Sequence, residues 1–114
     1  MQYDLEIRTR KFAKEIIGFI KTIRPTLINQ TIISQLIRSA TSIGANYCEA
    51  NAASSKKDFR NKIFICRKEA QETKYWIELL AESNPEYTEK LRTLWKEAHE
   101  LTLIFNKISF SLRN

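Results

Sequence analysis

Apolar residues recur along this chain at steps of three and four, the spacing of one face of an α-helix rather than the alternation of a half-buried strand. Leu5, Phe12, Ile16, Phe19, Ile20 and Ile23 form the first stripe, with Arg10, Lys11, Lys14 and Lys21 on the far side. The residue before Pro25 is pushed out of helical backbone, so a helix is predicted over about 3–23. Ile33, Leu36, Ile37, Ala40, Ile43, Tyr47 and Ala50 predict a second over about 30–51. Ser39, Ala40, Ser42, Gly44 and Ala45 cluster there, and small side chains let a neighbouring helix approach closely. Glycine inside a helix costs ~1 kcal/mol relative to alanine, and close packing explains Gly44 better than a ligand contact does.

Ser55-Lys56-Lys57-Asp58 resembles a capping box and opens a third helix over about 56–82. Its seam, Phe59, Ile63, Cys66, Ala70, Thr73 and Ile77, is about 80° wide on a helical wheel. Asn84-Pro85-Glu86 combines an N-cap, a proline at the first helical position and an acid in the first turn, which starts a fourth helix over about 85–112. Tyr87, Leu91, Leu94, Ala98, Leu101, Phe105, Ile108 and Leu112 then alternate steps of four and three, as in bundle seams. Four amphipathic helices with short connections predict an all-α, antiparallel up-down-up-down four-helix bundle. Phe64, Tyr75 and Leu79, and likewise Trp95, Leu103 and Phe110, fall outside these seams. They are expected at an oligomer interface, the competing readings being a wider core or scattered surface hydrophobics.

Composition narrows the chemistry. The 114 residues are expected to form one domain, and two glycines rule out glycine-rich phosphate loops. Cys48 and Cys66 lack metal or redox spacing and read as small, buried, reduced thiols. No signal peptide or membrane-spanning run is evident, so a soluble, cytoplasmic protein with no membrane partner is expected. The single histidine, His99, lies at the edge of the fourth stripe, and a di-iron bundle would need two Glu-x-x-His pairs. No enzyme activity, metal or cofactor is therefore expected.

Nineteen Lys and Arg against thirteen Asp and Glu leave a net charge of +6, which favours polyanionic partners. On the third helix Lys56, Arg60, Arg67 and Lys74 fall within roughly 40° of one another, with Lys57 close by. These five are the candidate phosphate contacts, with Lys11 and Lys14 secondary. A line of this kind fits a nucleic-acid backbone, RNA or DNA, and equally fits the charged outer edge that many helices carry.

Arg38-Ser39-Ala40-Thr41-Ser42-Ile43-Gly44-Ala45-Asn46, Glu49-Ala50 and Ser55-Lys56-Lys57-Asp58-Phe59 resemble the four helix bundle protein family, also called 23S rRNA intervening-sequence proteins. Lys68 to Leu80 resembles that family's third helix; many relatives carry glycine where this chain has Ala50. The resemblance implies a four-helix bundle assembling as a homopentameric ring. It also implies nucleic acid as a partner, with a reverse transcriptase or a ribosomal component as a further one. It transfers no catalytic motif. Arg38, Ser42, Gly44, Asn46, Glu49, Lys56, Lys57, Asp58 and Phe59 are the motif positions that carry over, as marks of structure or surface recognition.

Overall fold

The computed structural model describes residues 4–112, which form four long helices in an elongated body of 45 × 21 × 20 Å. Helix α1 spans Leu5–Ile20, α2 Asn29–Asn51, α3 Lys56–Ser83 and α4 Thr88–Ser111. They run up-down-up-down: α2 packs between α1 and α3, α4 packs on α3, and a lighter α1–α4 contact closes the ring. The bidentate ion pair of Arg8 with Glu97, at 2.8 Å for both bonds, spans that closure. Helices α1 and α3 lie diagonally across the bundle.

The predicted seams meet in one core, where Phe12, Ile16, Leu36, Ile43, Ile63 and Phe105 are almost wholly enclosed. The hydroxyls of Ser39 and Thr73 lie 3.0 Å apart inside the α2–α3 contact. Thr9, buried although polar, donates to Leu5 O within its own helix, which satisfies it without a tertiary partner. Gly44 faces it: a β-carbon there would stand 3.0 Å from Thr9 Oγ1. The glycine thus permits the close approach of α1 and α2.

Helix boundaries differ from the periodicity where hydrogen bonds at the ends intervene. The expected start at Tyr3 lies outside the described residues; Asp4 accepts from the Ile7 N–H and caps α1. That helix ends at Ile20 rather than Ile23, because Thr22 and Ile23 donate three residues back and tighten the last turn. The start of α2 hides a reciprocal cap. Thr26 Oγ1 accepts from the Asn29 N–H at 3.1 Å, and Asn29 Oδ1 accepts from the Thr26 N–H at 2.7 Å.

Asn29 is fully buried and also donates through Nδ2 to Arg24 O at 3.2 Å and to Asn84 Oδ1 at 3.0 Å. That last bond removes Asn84 from the capping role expected of it. Its side chain clasps the α1–α2 connection, so Pro85–Tyr87 forms a separate 3₁₀ turn before α4 begins at Thr88. Ser55 does cap α3, accepting from the Asp58 N–H at 3.0 Å.

Candidate nucleic-acid interface

The two edges of α3 carry opposite electrostatics. Toward α2 it presents Glu69 and Glu72, which bind Arg38, while the Trp76 Nε1–H donates to Glu72 at 2.9 Å. Burial opposes the Arg38 charge, but its bonds to Glu72 and Glu69 prevail and hold the guanidinium above its ordinary value. The Trp76 donation, opposed by desolvation and reinforced by Arg38, keeps the Glu72 carboxyl below the usual carboxylate range. Lys62 pairs with Glu49 at 2.6 Å, and that bond raises the lysine above its ordinary value.

Toward α4 the predicted cationic line becomes the helix–helix seam. Arg60 donates to Leu112 O at 3.1 Å, Arg67 to Asn106 Oδ1 at 3.3 Å, and Lys74 to His99 Nδ1 at 3.1 Å. The first two acceptors, a carbonyl and an amide oxygen, carry no formal charge. The side chains are positioned by these bonds, and among the described residues the ion pairs involve Arg8, Arg38 and Lys62 instead. Arg67 is half-buried, its guanidinium 4.8 Å from the centre of the Phe64 ring. Its buried Nε finds no acceptor among the described residues, so packing holds that edge.

The structure does not keep all seven candidates together. Lys56, Lys57, Arg60 and Arg67 gather in the first half of α3, whereas Lys74 is drawn in beside His99 and the Trp95 ring, 5.3 Å away. Lys11 and Lys14 are exposed on α1, diagonally across the bundle. Lys11 lines an α1–α4 cleft of about 680 Å³ whose carboxylates, Asp4, Glu15, Glu97 and Glu100, match its cations in number. Two exposed cations escaped the wheel, Lys68 and Lys107. The α3–α4 register brings them to the same end, and a single-helix projection holds no information about that register.

Charge segregates along the hairpin accordingly. From Lys56 to Lys68 the only acid among six cations is Asp58, and the facing stretch of α4 from Leu101 to Leu112 adds Lys107 and no acid. From Glu69 to Ser83 the balance reverses, with Glu69, Glu72, Glu78 and Glu82 against Lys74.

The expected interface residues divide in the same way. Phe64, Leu103 and Phe110 are exposed toward the basic half; Tyr75 is exposed beside Trp76 in the acidic half, where Leu79 and Trp95 are half-buried. Trp95 donates to Glu78 at 2.9 Å and stacks on His99. Leu27 and Ile28, exposed on the α1–α2 connection, were not foreseen, because an apolar pair in a loop lies on no helical stripe.

Of the two thiols, Cys66 is enclosed as expected and its pKa is pushed up to about 12 by burial. Cys48 is exposed instead, lying on the outer side of α2. No group of three or more His, Cys, Asp or Glu among the described residues is placed to hold a metal ion. Among the described residues no helix is long and apolar enough to cross a membrane.

Several motif positions prove to be packing positions. Besides Gly44 and Arg38, Ser42 donates to Arg38 O at 2.6 Å and Asn46 to Ser42 O at 2.8 Å, both within α2. The pattern of the family described as 23S rRNA-intervening sequence protein matches residues 3–107. A crystal structure of a protein with unknown function from the S23 ribosomal protein family of Bacteroides thetaiotaomicron VPI-5482 superimposes with a TM-score of 0.79 and 34% sequence identity. The match covers 91% of this chain and 96% of that one. No curated protein matches.

Proposed function

The chain belongs to the 23S rRNA-intervening sequence protein family, and on that premise we propose that it is a non-enzymatic accessory protein that binds RNA or DNA as an oligomer. One observation carries the nucleic-acid reading: the arginines of the α3–α4 seam are anchored by neutral acceptors, so their positions are set and their charge remains available. With Lys56, Lys57, Lys68 and Lys107 around them they form one basic end, the arrangement that tracks a phosphate backbone and releases its counterions. The non-enzymatic reading rests on the two groups best suited to catalysis. His99 is occupied between Trp95 and Lys74, and burial keeps the Cys66 thiol protonated.

Titration of a labelled rRNA fragment at two salt concentrations tests this. Affinity is expected to fall steeply with salt, and Arg60→Gln with Arg67→Gln to reduce the slope of log K against log salt by about two. Absence of binding at low salt overturns the reading. Exposed apolar side chains in both halves of the hairpin favour assembly of copies, and they are also what a purely protein-binding scaffold would use. A scaffold predicts salt-tolerant association with a protein partner and no affinity for the RNA.

A further inference from the structure

The basic end also carries aromatic surface. Phe64 lies between Arg60 and Arg67 in sequence, and the bonds from those arginines to Leu112 and Asn106 set the register of α3 against α4. That register brings Phe64 level with the stretch of α4 holding Phe110. Both rings are exposed, Phe64 by 48% and Phe110 by 69%. On a 100° wheel Leu103, Lys107 and Phe110 share one face of α4, and Lys57, Phe64 and Lys68 share the outer face of α3. The Arg67 guanidinium already rests against the Phe64 ring.

Two features decide what such a surface fits. From Lys56 to Lys68 and on the facing stretch of α4 the charge is of one sign apart from Asp58, with Glu72 bordering Lys68 at the edge, which disfavours the same face of a second copy and favours a polyanion. Its rings stand on helices, so no loop has to be ordered on binding. A duplex buries the faces of its bases, leaving an aromatic ring only its backbone and groove edges to contact. A single strand offers phosphates and unpaired bases together.

Resting on the polyanion reading above, we propose that this end of the α3–α4 hairpin is a platform for single-stranded nucleic acid. Unpaired bases stack on Phe64 and Phe110, while Arg60, Arg67, Lys68 and Lys107 hold the flanking phosphates. Stacking is indifferent to base identity, so strandedness rather than sequence is what this surface discriminates.

The test compares a labelled single-stranded RNA with the same strand in a duplex, measured by fluorescence anisotropy on the full chain. The single strand is expected to bind more tightly. Phe64→Leu and Phe110→Leu keep apolar bulk but remove the ring, and each is expected to weaken single-strand binding about five- to a hundredfold. Duplex affinity stays unchanged and Phe64→Trp retains tight binding. Circular dichroism melting is expected to leave these variants as stable as the parent, since both rings are exposed.

Single-strand affinity unaffected by the leucine variants, or duplex affinity falling in parallel, overturns the platform while the polyanion reading stands. Light scattering that shows the leucine variants dissociating an assembly as they lose RNA also overturns it, marking the face as a contact between copies. Failure of both RNAs to bind at low salt removes the two readings together.

Discussion

A β-carbon has opposite consequences at the two glycines. At Gly18 on α1 nothing lies within 4 Å, so Gly18→Ala is expected to stabilise by about 0.5–1 kcal/mol through helix propensity alone. At Gly44 the new atom meets Thr9 Oγ1 at 3.0 Å and Thr9 Cβ at 3.3 Å. Thr9 cannot turn away without losing its bond to Leu5 O, so α1 itself must shift. Gly44→Ala is therefore expected to destabilise by about 1 kcal/mol, overpacking outweighing propensity. Thermal melts of the two variants should move in opposite directions, and a stabilised Gly44→Ala would refute the close-packing role. The small-residue cluster made that role legible in sequence. Thr9 as the group it accommodates was not, since a buried threonine satisfied by its own helix looks like any polar position.

At the scale of the element, α3 is two-sided because Glu69 and Glu72 face α2 and its seam cations face α4. The Arg38–Glu72–Trp76 network ties α2 to α3, and the Glu72 carboxyl lies below its ordinary value. The stabilisation from its charge is therefore fully present above the unfolded carboxylate pKa of about 4.3 and is lost as pH falls through the lower folded value. Glu72→Gln is expected to cost about 0.5–1 kcal/mol at neutral pH, a modest figure because Arg38 and Glu72 are partly exposed. It should also flatten the decline of melting temperature between about pH 5 and 3. An unchanged acid profile would show that the network contributes nothing through Glu72. The sequence displayed the cationic line of α3. What each side of the helix would bond depended on what the neighbouring helices offered: Arg38 on one side, and on the other a carbonyl, an amide and an imidazole.

For the molecule as a whole, the proposed assembly would repeat the basic end once per copy and strengthen a weak field. Light scattering at micromolar concentration should report a multiple of 13.4 kDa, and a mass equal to one chain would count decisively against a stable pentamer. Raising salt should weaken RNA binding while leaving that mass unchanged, because apolar contacts between copies do not release counterions.

Helix number, the four seams and the serine cap of α3 followed from spacing and local hydrogen-bonding chemistry, both properties of contiguous residues that a linear sequence records. The Asn29–Asn84 clasp, the pairing of cations with neutral acceptors and the gathering of Lys68 and Lys107 with Arg60 and Arg67 join residues from separate helices. Their geometry depends on the offset at which α3 and α4 slide past each other, and on the connection each end of the bundle must clasp. Packing sets that offset once the helices already exist, so tertiary structure alone decided where the charge converges.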